Sequence, residues 1–227
     1  MKVLFDKVRD FDDDVFRNIV SLRESQDLFD DLTVDEGATQ YAIDAEAQVK
    51  SSLPSGVIER GFDYTTAIDY PFTNEPYLLS RYGNGSFGVW YGALDLETTL
   101  YETLYHTVRE ESKIEGISGI LKRERAVYLV RTRAILIDLV GKENRYPELI
   151  SDSYALTQQI AERVHKEHPG LLAPSARYSG TNLIAFTPKI LSNPRVNCYL
   201  TYTYDYQKKS VVVERRPGEV ILERSFA

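Results

Sequence analysis

Apolar residues recur with two different periods along this chain, and the change between them divides it. Val15, Ile19 and Leu22 fall at helical spacing, with Phe16 and Val20 beside them. They follow Asp12, Asp13 and Asp14, and negative charge at that end suits a helix N-terminus. A second helix is predicted from Val34 and Asp35 through Tyr41, Ala42, Ala45 and Val49, ending before Pro54. Residues 1–56 therefore read as a helical N-terminal extension. From Val57 the period shortens. The run I-E-R-G-F-D-Y-T-T-A-I-D-Y-P-F alternates and is rich in β-branched and aromatic residues. It predicts a strand or loose hairpin, bounded by Gly56 and Pro71. Residues 126–132 and 134–140 are dense enough in apolar side chains to predict two central strands. Leu156, Ile160 and Val164 form one stripe of a helix over residues 153–166, which stops before Pro169 and Gly170. Residues 170–186 read as strand, loop and strand around a polar, small-residue middle, and 198–204 with 210–215 as a closing hairpin. Strands outnumber helices after residue 57, so the pattern predicts an α+β domain over 57–227, with mixed or antiparallel sheets and flanking helices.

The stretch 80–106, S-R-Y-G-N-G-S-F-G-V-W-Y-G-A-L-D-L-E-T-T-L-Y-E-T-L-Y-H, is the one that departs from a plain core pattern. Asp95 is placed to cap a helix and Glu97 adds charge to its first turn, while Leu96, Leu100 and Leu104 make an apolar stripe. At about 100° per residue, Glu102 points away from that stripe, beside Thr98, Tyr105 and His106. That face is either the wet side of a surface helix or the wall of a cleft with Glu102 as its fixed negative charge. Periodicity leaves both open. Arg81 precedes a turn in which Gly83 and Gly85 would let backbone N–H groups approach an anion, and a guanidinium there suits forked contacts with phosphate. Trp90 and Tyr91, adjacent on a strand, face opposite sides. Ser175 and Arg177 sit in the loop P-S-A-R-Y-S-G, which taken alone is an ordinary turn. His106 reads more readily as a hydrogen-bonded helix residue than as a base. No Ser-His-Asp order or nucleophile elbow is visible, which disfavours acyl transfer.

Composition narrows the classes of function. The 227 residues are 43% apolar, enough for a real core, and the 16 tyrosines favour β-structure and amphipathic pockets. The formal charge of −7 and the lack of a basic cluster argue against direct nucleic-acid binding. A single cysteine excludes an internal disulfide, and neither it nor His165 and His168 belongs to a metal-ligand pattern. The N-terminus turns charged before a signal-length apolar run forms, and no stretch is long enough to span a bilayer. A reducing, cytoplasmic setting without a membrane partner is expected.

The 80–106 stretch, followed some seventy residues later by G-L-L-A-P-S-A-R-Y-S-G-T-N-L-I-A-F, resembles the RES domain, over residues 58 to 190. That family is named for its Arg, Glu and Ser and supplies the toxin of RES–Xre toxin–antitoxin pairs. The resemblance implies an α+β fold akin to ADP-ribosyltransferase toxins, with NAD+ as substrate and no cofactor. It implies cleavage of the nicotinamide–ribose bond with water or phosphate as acceptor, and an Xre-type antitoxin as partner. The family's arginine falls on Arg81, its tyrosine on Tyr91, its glutamate on Glu102 and its serine on Ser175, with Ser179 four residues on as the alternative. Tyr82, His106, Arg177 and Asn182 complete the candidate ligand contacts. Chemistry agrees: Arg81 can pair with phosphates, Tyr91 can stack on or position the nicotinamide ribose, and Glu102 can stabilise an oxocarbenium-like centre. Transfer of ADP-ribose to a protein, a non-catalytic interaction module, and a homo-oligomeric arrangement stay open.

Overall fold

The structure, a computed structural model, describes residues 2–21, 65–73, 75–111, 113–114 and 118–226. The first long element corrects the sequence reading. Residues expected to begin a helix form strand β1, Val8–Val20. The reason lies in a shared spacing: Phe11, Val15 and Ile19 are four apart, which puts them on one face of a helix and equally on one face of a strand. Pairing decides the matter. β1 runs antiparallel to β3 in unbroken register from Val8 opposite Ile137 to Val20 opposite Arg125. The acidic run caps no helix. Asp12 lies 2.7 Å from Arg131, and Asp14 pairs with Arg195, so these charges are neutralised across strands. Leu22 and the helix expected at residues 34–54 lie outside the described residues.

Where a strand or hairpin is expected before Pro71, Thr65–Asp69 form a π-helical turn that continues into α1, Tyr70–Thr73; residues 57–64 are not described. Ala67 and Ile68 are fully buried there, and the Ala67 carbonyl accepts the indole N–H of Trp90 at 2.7 Å. β2, Trp90–Ala93, leads directly into α2, Leu96–Glu111. The two strands predicted over 126–140 are one, β3, Ile120–Asp138. Arg133 points to solvent and interrupts nothing, because β1 holds one edge of β3 through that point. The helix α3 covers Ala155–Val164, β4 Gly170–Pro174 and β5 Thr181–Ala185, close to expectation. β6, Leu191–Asp205, and β7, Ser210–Glu214, form the expected hairpin, but a further strand, β8, Val220–Ser225, follows it. The sequence of β8 carries only a short apolar run before Glu223 and Arg224, too little to signal a strand.

The eight strands lie in the order β1-β2-β5-β4-β3-β6-β7-β8, and β1 also pairs with β3. That extra pairing closes β1, β2, β5, β4 and β3 into a ring, from which β6, β7 and β8 extend as a flap. All pairings are antiparallel except β3 with β4. An α+β fold with a mixed sheet follows. The ring is filled by Phe11, Val15, Trp90, Val130, Leu136, Leu172 and Leu183. α3 packs a second cluster outside it, and α2 packs a third against Tyr202, Tyr204, Val211 and Val213 of the flap. The ends of β2 and β4 and the start of β5 lie side by side in the sheet, Ala93 opposite Asn182 and Pro174 opposite Thr181, next to the start of α2.

Candidate active site

The geometry starts with α2. The carboxylate of Asp95 accepts the backbone N–H of Thr98 at 2.7 Å and its hydroxyl at 2.7 Å, capping the first turn. Leu100 and Leu104 are buried against the flap. With the stripe fixed inward, Tyr101, Glu102, Tyr105, His106 and Arg109 lie on the remaining surface of the helix, facing the loops after β4 and before α3. Glu102 is not freely solvated there, its side chain being 21% exposed.

Ser175 donates its hydroxyl to Glu102 Oε1 at 2.6 Å, and Asn182 Nδ2 donates to the same oxygen at 2.9 Å. The other oxygen, Oε2, lies 3.8 Å from His106 Nε2. Both donors come from the β4–β5 hairpin, where Ala173 pairs with Asn182. Ser175 is fixed in turn: its Oγ accepts the N–H groups of Arg177 at 3.1 Å and Tyr178 at 3.2 Å, and its own N–H donates to the Gly180 carbonyl at 2.9 Å. With two N–H groups on the oxygen lone pairs, the hydroxyl proton is directed at Glu102. A Cβ on Gly180 would run into Thr98 and Asp95, so glycine is what lets the loop close onto the start of α2. Ser179 is exposed on the same loop, away from these contacts.

Two guanidiniums, Arg177 and Arg81, contact the 149–154 segment that faces this side of α2. The guanidinium carbon of Arg177 sits over Tyr105, 3.3 Å from the ring centre, and Arg177 donates to Asp152 Oδ1 at 2.6 Å; Tyr105 donates its hydroxyl to the same oxygen at 3.2 Å. Arg177 holds the Asp152 carboxyl below the usual carboxylate range. Nε of Arg177 is buried and has no partner among the described residues. Arg81 donates to the carbonyls of Ser151 at 2.6 Å and Leu149 at 3.3 Å, and stacks 4.8 Å over Tyr154. The Tyr154 hydroxyl accepts from Arg109 of α2 at 3.2 Å. Residues 149–154 thus connect both cations to the Glu102 face. Loss of water pushes the His106 imidazole below its ordinary value, and Arg177, Arg109 and Arg81 push the same way against the opposing pull of Glu102.

Tyr91 and Tyr82 have a different place. Tyr91 sits behind the Arg81 turn, its hydroxyl accepting the N–H of Tyr82 at 2.8 Å and sharing a hydrogen with Ser80 Oγ at 2.8 Å. Burial raises both phenols well above the ordinary range, so neither ionises near neutrality. Tyr82 is buried in the α3 cluster. Gln158 of α3 donates to the carbonyls of Ser80 and Gly83, completing the frame that aims Arg81. The structure therefore ties Glu102 directly to Ser175, Asn182 and His106, and links Arg177 and Arg81 to the same face of α2 through residues 149–154, with Tyr91 as a brace and Tyr82 in the core.

Tyr105, Asp152 and Tyr154 belong to this network and are absent from the sequence-based set of contacts. Tyr105 shares a helix face with Glu102 and was readable from periodicity. Asp152 and Tyr154 sit in a loop whose side chains follow no period, so nothing in the sequence singles them out. Among the described residues no group of three or more His, Cys, Asp or Glu side chains could hold a metal ion, and no helix is long and apolar enough to cross a membrane. Two guanidiniums, aromatic rings and one anchored carboxylate suit a ligand that is anionic along its length and bears a centre of developing positive charge. A protein-family model described as the RES domain matches residues 55–205. No curated protein matches the chain.

Proposed function

The chain belongs to the RES domain family, and from that premise we propose that it cleaves NAD+ between nicotinamide and ribose. The observation that carries this reading is Glu102, one oxygen held by Ser175 and Asn182 and the other near His106, and we read the space between it and the guanidiniums of Arg81 and Arg177 as the hollow that takes the substrate. The pyrophosphate of NAD+ takes the two guanidiniums, whose fork geometry matches phosphate oxygens. It displaces the backbone carbonyls from Arg81 and the Asp152 carboxylate from Arg177. The nicotinamide ribose then lies over Glu102 Oε2.

As the C1′–N bond lengthens, its electron pair leaves with nicotinamide, which departs neutral and needs no proton. Positive charge grows on C1′ and the ring oxygen, and Glu102 stabilises it from a fixed position. Because Ser175 and Asn182 already orient the carboxylate, little reorganisation accompanies the step. The acceptor oxygen, from water or phosphate, bonds to C1′; a water proton passes to Glu102 Oε2. In its cellular setting this activity is that of a toxin restrained by an Xre-type antitoxin, and acceptor choice follows from what enters the hollow after nicotinamide leaves.

Purified protein mixed with NAD+ releases nicotinamide. Glu102→Gln keeps the shape and the Ser175 contact but removes the charge, and lowers the rate roughly 100- to 1,000-fold, the scale of losing one main electrostatic stabiliser. Nicotinamide release by this variant at the unmodified rate, with the fold intact by circular dichroism, overturns the assignment. Labelled ADP-ribose retained on protein instead of appearing free identifies a protein acceptor.

A further inference from the structure

The segment beyond the family match reaches the site, and it does so through one arginine. β8 pairs with β7 in a register that sets Arg224 opposite Val211, which is fully buried. Leu222 and Phe226, two residues to either side, pack on the cluster that holds Leu100 and Leu104 of α2. By strand alternation Arg224 shares their side and faces α2. Its Nε and Nη2 both donate to the hydroxyl of Tyr101, at 3.0 and 2.7 Å. Tyr101 immediately precedes Glu102, and its ring stacks on Tyr178 with centres 4.6 Å apart and planes 10° from parallel. The backbone N–H of Tyr178 is one of the two donors that fix Ser175 Oγ.

We propose that Arg224 is a positioning residue for the Ser175–Glu102 contact, acting through the stacked rings of Tyr101 and Tyr178. A Tyr ring on a helix surface turns about two torsions, and two donors on one hydroxyl oxygen hold it in a single orientation. That ring is the platform on which the tip of the 175–180 loop rests. When it turns, the Tyr178 amide moves away from Ser175 Oγ, and the hydroxyl proton is no longer confined to Glu102. Arg224 touches neither substrate nor reacting atoms. The catalytic consequence rests on the NAD+-cleavage reading, whereas the mechanical link does not.

The test compares wild type, Arg224→Ala, Tyr101→Phe and Ser175→Ala, singly and combined, in the full chain. Arg224→Ala and Tyr101→Phe each lower kcat/KM for nicotinamide release roughly 3- to 10-fold, the scale of one oriented hydrogen bond. Their combination is no worse than either alone, and Arg224→Ala has no further effect once Ser175 is alanine. Independently of activity, hydrogen exchange at the Arg177 and Tyr178 amides speeds up in Arg224→Ala. Unchanged exchange at those two amides overturns the link, as does an Arg224→Ala loss fully additive with Ser175→Ala. Wild-type protein that releases no nicotinamide, while the exchange still responds, overturns the NAD+ reading and leaves the brace standing.

Discussion

Asp152 and Arg177 are unequal partners: the guanidinium is largely buried and held over Tyr105, while the carboxylate is mostly exposed on a loop. That contact keeps Arg177 in place whether or not Asp152 is there. On the proposed reading Asp152 is a resident anion where a phosphate would bind, and an ion pair whose carboxylate is this exposed is weak enough to be exchanged. Asp152→Ala should lower the KM for NAD+ roughly two- to fivefold at unchanged kcat, by removing a competitor whose pairing is on the order of 0.5–1 kcal/mol. Steady-state kinetics check this, and a rise in KM would show that Asp152 orients Arg177 instead. His106, its side chain 56% exposed, contributes a small pH dependence. Its pKa is lower in the folded chain than in the unfolded one, so protonation favours unfolding. Its effect is absent well above the ordinary histidine value and grows as pH falls through it. Melting temperatures from pH 8 to pH 5 should decline less steeply in His106→Gln than in wild type.

At the scale of elements, what the sequence makes legible is what repeats. α2 follows from its leucines and its cap, and the β4–β5 hairpin from two short apolar runs about a polar loop; these bring Glu102, Ser175 and Asn182 together. The β1 strand was not legible as one, because Phe11, Val15 and Ile19 satisfy both periods and only the distant pairing with β3 breaks the tie. For the same reason β3 reads as two strands: Arg133 ends a local apolar run but not a ladder held by its neighbours. The loop 149–154, which supplies Asp152 and the carbonyls on Arg81, has no local signature. The 175–180 loop offers a test of how its placement is enforced. Gly180→Ala should destabilise the fold by about 1–3 kcal/mol, because the added carbon meets Thr98 and Asp95 where α2 begins. Denaturant unfolding measures that cost, and nicotinamide release should fall by more than stability alone explains.

For the whole molecule, the boundaries of the family match and those of the folded body differ. Residues 55–205 omit β1, which pairs with β3 along all thirteen of its residues, and β7 and β8, which cover the cluster under α2. A fragment of residues 55–205 should therefore fail to give dispersed amide resonances, while the full chain gives them; a well-dispersed fragment spectrum would show the outer strands to be dispensable. The ring itself has uneven strength. β1 grips β3 over its full length but meets β2 at a single rung, Phe16 opposite Ala93. Two residues past that rung stands Asp95, from which α2 springs. A second short seam joins β3 to β4 at two rungs, Ile137 opposite Leu171 and Asp138 opposite Leu172, so the ring has two short seams, and the helix bearing Glu102 starts beside one of them. Local opening of the ring is therefore expected at these short seams before the thirteen-residue ladder of β1 and β3 gives way.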